Sequence, residues 1–181
     1  MRLKIQLIVV CTVLICLIMV STLAAQTPAG YPQQLFVMTK LVPSLKTIGV
    51  ISSNATDQLI QRTNIAGLPY GVKVYIAKAG TPRDIPGLFQ SLIKKEVQLI
   101  WIPDKSDEMM MEKGFEYLRE MALENKIGLC VPETKMIPEG ALCSIQLEGN
   151  KVVAYINKRV AQVTGATIPN DPNGSVKYII K

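Results

Sequence analysis

The chain has 181 residues, of which 49% are hydrophobic, and it carries 20 lysines and arginines against 14 acids, with no histidine. The lack of histidine excludes Ser-His and Cys-His nucleophile pairs and most zinc sites. The net charge of +6 is spread along the chain without a basic run, and only 6% of the residues are aromatic, so the composition does not indicate nucleic-acid binding.

Residues 1–25 have the pattern of a signal peptide. Arg2 and Lys4 precede an apolar run over residues 5–20, and small residues follow it. The run is shorter than the roughly 20 residues that a membrane-spanning helix needs. We therefore predict cleavage after Ala24 or Ala25 and a periplasmic or otherwise exported protein, with an uncleaved anchor as the alternative.

The rest of the chain divides into a linker with a short helix, residues 26–42, and one α/β domain, residues 43–181. The short helix is predicted from Gln33 to Leu41. Beyond it, apolar runs rich in β-branched residues alternate with segments of helical spacing. Strands are predicted at 45–53, 71–79, 97–102, 126–133, 141–147 and 175–181, and helices at 54–67, 81–96, from 106 onward and at 150–165.

Polar residues mark the predicted helix starts. Asn54 is the expected cap of the helix over 54–67, and Thr81 with Asp84 forms a capping-box pattern. Ser106 is expected to begin the next helix, where Asp107 would complement the helix dipole. Asp107 is therefore interpreted as a helix-start residue.

Strands that alternate with helices over short connections predict right-handed βαβ units. The expected fold is a three-layer α/β sandwich around a doubly wound parallel sheet of about five strands. In such sheets, ligands bind beyond the carboxyl ends of the strands, where the strand order reverses.

Four polar residues lie at predicted carboxyl ends and are the candidate ligand contacts. Ser53 and Asn54 follow the first strand of the sheet and would donate or accept hydrogen bonds. Asp104 follows the apolar run that ends at Pro103 and would accept from a ligand amine or hydroxyl. Glu133 would be a second acceptor. Each of the four also suits an ordinary turn or cap.

Other proteins with this type of sheet fit less well. A phosphoacceptor receiver domain needs an acidic pair after the first strand, where this chain has Ser52, Ser53 and Asn54. The hydroxyl-rich turn is only faintly similar to a flavodoxin phosphate loop. No nucleophile–base pair, paired-carboxylate cleft or metal cluster has the required spacing, so we predict no enzymatic activity, no cofactor and no metal. Cys130 and Cys143 lie in apolar runs, and spacing leaves a disulfide between them open.

The order of these segments resembles the C-terminal lobe of ABC transporter substrate-binding proteins, which have the type I periplasmic-binding fold. The resemblance extends from about Pro43 to the C-terminus. A strand ending in a proline–aspartate pair appears at Pro103 and Asp104, and a glycine–alanine step appears at Gly140 and Ala141. The segments that carry the resemblance are "LVPSLKTIGVISS", "GVKVYIAKAGTPRDIPGLFQSLIKKEVQLIWIPDKSD", "ALENKIGLCVPETKMIPEGALCSIQL" and "TGATIPNDP".

The resemblance implies an exported, non-enzymatic solute-binding or sensing protein, with an amino-acid-like solute as one expected ligand. Members of the family close two lobes on a solute, whereas this chain resembles one lobe. The alternative is therefore a protein–protein interaction module of the cell envelope, with a permease, a receptor or a second copy as its partner. Nucleic acid is not expected as a partner, and membrane contact is expected only through an uncleaved N-terminal segment.

Overall fold

A computed structural model of the chain describes residues 27–169 and 176–181, so the predicted signal segment lies outside the described residues. Within them, the strands are β1 (Thr27–Pro28), β2 (Thr47–Ser52), β3 (Lys73–Lys78), β4 (Leu99–Trp101), β5 (Gly128–Val131), β6 (Cys143–Glu148), β7 (Lys151–Ile156) and β8 (Val176–Ile180). The α-helices are α1 (Tyr31–Leu41), α2 (Asp57–Gly67), α3 (Ile85–Ile93), α4 (Phe115–Glu124) and α5 (Lys158–Thr164).

The sheet confirms the predicted fold class. Strands β2 to β6 are the five predicted parallel strands, and every pairing among them is parallel. The strand order is β3-β2-β4-β5-β6-β7-β8, with β1 also pairing with β6. The chain leaves β2 toward β3 and returns on the other side of β2 to form β4. The strand order therefore reverses between β2 and β4.

The segment 150–165 is not the single helix that the sequence predicted. Its first half is β7, which pairs antiparallel with β6 through a turn at Gly149 and Asn150. Gly149 has φ 59°, in the left-handed region that tight hairpin turns need. Pairing with β6 decides the outcome, because the apolar and β-branched residues of β7 suit a buried strand.

The second half of that segment is the short helix α5. The Asn157 side chain accepts a hydrogen bond from the Val160 amide and so caps the helix. Gly165, with φ 72°, ends it as predicted. Strand β8 then pairs parallel with β7, so the sheet has two strands that oppose the other five of the main order.

Helix α1 is part of the core. It begins at Tyr31, two positions before the predicted start, and Leu35, Met38 and Leu41 are fully buried. Strand β1 pairs antiparallel with the end of β6 and brings the segment onto the sheet. Residues from within the predicted linker and helix segment, 26–42, thus complete one face of the domain.

Two hydrophobic clusters cover the two faces of the sheet. One contains Leu35 from α1, Ala66 from α2 and Val160 from α5. The other contains Phe89 from α3 and Leu118 from α4. Helices on both faces give the three layers that the sequence predicted. No helix in the described part of the chain is long and apolar enough to cross a membrane.

The helix starts agree with the sequence in one case and differ in another. The Asp84 carboxylate accepts from the Thr81 amide at 2.7 Å, which confirms the predicted capping box. The prediction that Asn54 caps α2 was wrong. The Thr56 side chain accepts a hydrogen bond from the Leu59 amide, and α2 begins after Thr56. Asn54 belongs to the preceding turn.

Candidate ligand-binding site

Asp107 joins the ends of β2 and β4 where the strand order reverses. Its side chain is almost completely buried. Oδ2 accepts from the Ser52 hydroxyl at 2.8 Å and from the Ser53 amide at 2.7 Å. Oδ1 accepts from the Ser53 hydroxyl at 2.5 Å and from the Met110 amide at 3.3 Å. Asp107, and not Ser106, therefore caps the helical segment that leads into α4.

Side chains and amides of the protein itself thus occupy the space between the ends of β2 and β4, where the strand order reverses. The Ser53 hydroxyl donates to Asp107, and the amide of Asn54 donates to the Ser52 hydroxyl at 3.1 Å. The Asn54 side chain is exposed to solvent. Open space for a ligand lies beside this network.

Asp104 lies in the turn after β4 and is partly exposed. Its Oδ1 accepts from the Ser106 amide at 2.8 Å, which is the local bond expected of an aspartate in a turn. This is the only hydrogen bond of the carboxylate to the described part of the chain. One carboxylate oxygen is therefore available to another partner.

A cavity of about 570 Å³ opens beside Asp104. Three segments line it: the corner between β1 and α1, the second half of α2, and the turn after β4. Its lining is mostly apolar, with contributions from Pro28, Tyr31, Ile65, Ala66 and Pro103. Three charged residues lie among them, namely Arg62, Asp104 and Lys105.

A buried hydrogen-bond chain supports one wall of the cavity. The indole nitrogen of Trp101 donates to Gln34 Oε1 at 2.9 Å, and Gln34 Nε2 donates to the Ala29 carbonyl at 2.6 Å. Gln34 and Trp101 are both buried. The Tyr31 ring contacts Trp101 edge-on, with centroids 5.3 Å apart and an angle of 84°. These contacts fix the β1–α1 corner against the end of β4.

The charges of the cavity act on Tyr31. Burial raises the pKa of the Tyr31 phenol, and the negative charge of Asp104 raises it further. The positive charge of Arg62 opposes this and lowers the pKa. Both charged groups therefore lie near enough to the phenol to influence its ionisation. The cavity offers a carboxylate, a guanidinium and a phenol hydroxyl together.

Glu133 lies at a second, smaller cavity of about 230 Å³. Lys135 Nζ forms an ion pair with Glu133 Oε2 at 2.6 Å, and the nearby carboxylate raises the pKa of Lys135. Pro28 and Lys105 line both cavities, so the two are neighbours along the same edge of the sheet.

The four sequence-predicted residues are therefore divided. Asp104 and Glu133 lie at adjacent cavities, whereas Ser53 and Asn54 line neither of them. Sequence reasoning did not single out Tyr31, Gln34 or Arg62, which lie on α1 and α2. Their helical spacing gave no signal, since only the packing of these helices brings them to the end of β4.

The described residues contain no group of three or more Cys, Asp or Glu side chains placed to hold a metal ion. Cys130 and Cys143 are register partners in β5 and β6, and both are buried free thiols.

Comparison with known proteins identifies the class of fold. No protein-family model matches the chain, and no curated protein matches it. The ABC domain in complex with L-Trp from Streptococcus pneumoniae matches at a TM-score of 0.69 and 19% identity, over 85% of this chain and 63% of that one. The chain thus has the fold of a single periplasmic-binding-protein-like lobe.

Two further structures agree. A conserved domain protein from Vibrio cholerae matches at a TM-score of 0.67 and 19% identity, over 86% of this chain and 60% of that chain. The ligand-free, open structure of a substrate-binding protein with adhesive properties from Clostridium difficile matches at a TM-score of 0.67 and 17% identity. The match covers 85% of this chain and 61% of that chain. This chain therefore spans less than two thirds of each of the three structures.

Proposed function

We propose that the protein is an exported, non-enzymatic solute-binding or sensing protein that holds a small molecule in the cavity beside Asp104. The observation that carries this proposal is the free carboxylate oxygen of Asp104 at a mostly apolar cavity. That cavity lies next to the reversal of strand order, where this type of sheet receives ligands. Its volume falls within the roughly 300–1,000 Å³ of small-molecule sites.

The chemistry of the lining favours an amino-acid-like solute. Asp104 would accept from an ammonium or hydroxyl group, and Arg62 would bind a carboxylate. The apolar lining, including Ile65, would contact the side chain of the solute. The L-Trp bound to one of the similar structures supports this ligand class. Glu133 is the proposed second acceptor, and Ser53 and Asn54 remain predicted contacts for a solute that extends toward the end of β2.

The proposed role is binding without chemistry. The residues that line the two cavities include no cysteine or serine nucleophile, and Glu133 forms an ion pair with Lys135. A ligand would therefore meet an acceptor, a cation and an apolar surface, which are the elements of recognition. The fold of the similar binding proteins supports the same conclusion.

Calorimetry with a panel of free L-amino acids tests the ligand proposal, comparing the wild type with Asp104→Asn and Asp57→Asn. Asp57 is an exposed acid at the start of α2 that does not line the cavity. Loss of a charge-assisted hydrogen bond should weaken binding by Asp104→Asn about tenfold or more. Asp57→Asn should bind as the wild type does. Equal affinities of the two variants, or no binding by any member of the panel, would contradict the proposal.

Export is tested at the N-terminus of the protein recovered from cells. Cleavage predicts a mature chain that begins near Ala25 or Gln26, found outside the cytoplasm. An intact Met1 on protein from the cell envelope would instead indicate an anchor.

The interaction-module alternative rests on a different observation. Ile65 lines the cavity and is 56% exposed, and Leu68, which directly follows α2, is 75% exposed. Apolar side chains with this exposure are typical of protein contacts when they form a patch. The adhesive properties of one similar protein support this alternative. Sedimentation of wild type and Leu68→Ser tests for a second copy as the partner, because a dimer through this patch should dissociate in the variant.

A further inference from the structure

The fold gathers four lysines that are far apart in the sequence. Lys46 directly precedes β2, Lys73 is the first residue of β3, and Lys94 and Lys95 follow the end of α3. All four are exposed. Because helices return the chain to the amino ends of parallel strands, these residues lie together at that end of the sheet, and we call them the amino-edge lysines.

Contacts between the strands hold the amino-edge lysines close to one another. The Lys73 amide donates to the Lys46 carbonyl at 2.8 Å. The ammonium groups of Lys73 and Lys95 lie 4.9 and 4.8 Å from the centroid of the same Tyr75 ring. Two cations thus contact one aromatic ring. Neither of them is paired with an acid in the described part of the chain, so their mutual repulsion remains.

Acidic groups do not neutralise this surface. Within the described ranges 27–169 and 176–181, none of the four lysines forms an ion pair. Glu96 follows Lys95 directly and is also exposed. The four unpaired cations give a positive surface that an anionic partner would stabilise.

We propose that the amino-edge lysines dock the protein on the anionic phospholipid headgroups of a membrane. Lysines act as point charges toward many phosphates and need no fixed geometry, which suits a fluid headgroup layer. The predicted signal peptide brings the chain to a membrane. The sequence predicted membrane contact only through an uncleaved N-terminal segment. The contact proposed here is a second one, made by the folded domain.

Single-stranded nucleic acid fits the same surface less well. Such binding needs aromatic faces on which bases stack. Tyr75 is the ring at this surface, and lysine ammonium groups lie within about 5 Å of its centroid. A headgroup layer makes no such demand, because it is recognised by charge.

The docked orientation leaves the ligand edge accessible. The amino-edge lysines lie at the beginning of β2 and β3, and Asp104 lies beyond the end of β4. Strand β2 has 6 residues, which at about 3.3 Å per residue separates the two edges by roughly 20 Å. Docking through the lysines would therefore turn the cavity away from the bilayer.

Vesicle co-sedimentation of the full chain tests this inference. The vesicles contain phosphatidylglycerol with phosphatidylcholine, or phosphatidylcholine alone, at low and at high NaCl. Lys73→Gln/Lys95→Gln is compared with Lys78→Gln/Lys113→Gln, a pair of exposed lysines away from the amino ends of the parallel strands that removes the same charge. Every protein carries the same N-terminal residues, so their contribution to binding is constant.

The cluster variant should lose about twenty-fivefold in partition onto anionic vesicles at low salt, at about fivefold per lysine, and the control pair much less. Binding to neutral vesicles should be the same for all proteins. Lys46→Gln/Lys94→Gln, which does not remove a Tyr75 contact, should repeat the loss and so excludes a folding defect. Equal losses of vesicle binding by the cluster and control variants would overturn the proposal. It would also be overturned if the cluster variant lost binding to a single-stranded oligonucleotide but not to anionic vesicles.

Discussion

The Asp107 carboxylate lies 2.7 Å from the amide nitrogen of Ser53, so an acid that follows β4 fixes the turn that follows β2. The two turns flank the point where the strand order reverses. The same carboxylate also accepts from the helix that begins beside it. A buried side chain therefore sets the relative position of three elements next to the candidate cavity.

Replacing Asp107 should destabilise the fold. Asp107→Asn leaves buried donors of Ser52 and Ser53 without a charged acceptor, at an expected cost of about 2–4 kcal/mol. Asp104→Asn should cost less than about 1 kcal/mol, because its single turn bond is partly exposed. Urea unfolding of both variants measures the difference. Similar losses of stability would show that the Asp107 network contributes little beyond an ordinary cap.

The ionisation of Tyr31 should report on the charges of the cavity. Asp104→Asn should lower the pKa of Tyr31 toward its ordinary value of 10.0, and Arg62→Gln should raise it further. A pH titration followed by NMR of ¹³C-labelled tyrosine rings measures both shifts. If neither variant moves the Tyr31 resonance, the two charges do not act at this cavity.

The same phenol predicts how stability changes in alkali. Its folded-state pKa is raised, so the stabilising contribution of the neutral phenol is complete below the unfolded-state pKa. The contribution is lost as the pH rises through the folded-state value. Tyr31→Phe should therefore lose less stability above pH 10 than the wild type, as thermal melts across the pH range would measure. A parallel decline of both proteins would contradict this assignment.

Two glycines should respond to alanine with opposite signs. Gly149 has φ 59° in the β6–β7 turn, where a Cβ costs roughly 1–2 kcal/mol. Gly87 lies in α3 with open space around its Cα, so Gly87→Ala should stabilise by about 0.5–1 kcal/mol. Thermal melts of the two variants decide the signs. A stabilised Gly149→Ala would show that the turn does not hold the left-handed conformation.

The paired thiols should be unreactive in the folded protein. Cys130 and Cys143 are both buried, and burial raises the pKa of the Cys130 thiol well above its usual range. A thiolate is the reactive form, so alkylation should be slow until the protein unfolds. Mass spectrometry of labelled peptides, with and without denaturant, measures this site by site. Rapid labelling of native protein would indicate that β5 and β6 open.

The sheet could be predicted from the sequence because each central strand carries its own local signal. Runs such as Leu99–Trp101 are continuous in apolar residues and end at turn residues, which indicates a strand covered on both faces. The capping box at Thr81 and Asp84 is likewise local. The strand β7 has no such signal, since its apolar residues suit a helix or a strand and only the partner β6 decides between them.

The candidate site could be predicted only in part for a similar reason. Asp104 was found from its place after a strand. Tyr31 and Arg62 meet it across a large separation in sequence, through the packing of α1 and α2 on the sheet. Asp107 was interpreted as a helix-start residue because it lies at the beginning of the predicted helix. Its burial and its bonds to Ser53 depend on the neighbouring strand.

Trp101 gives the protein an optical property that follows from its position. It is the single tryptophan of the chain, so the entire indole emission comes from the end of β4. Its nitrogen donates to Gln34, and its ring contacts Tyr31 on the cavity wall. A molecule that enters the cavity and displaces that corner would change the intensity or wavelength of this emission. Binding of non-fluorescent solutes to the unlabelled protein can therefore be screened by tryptophan fluorescence.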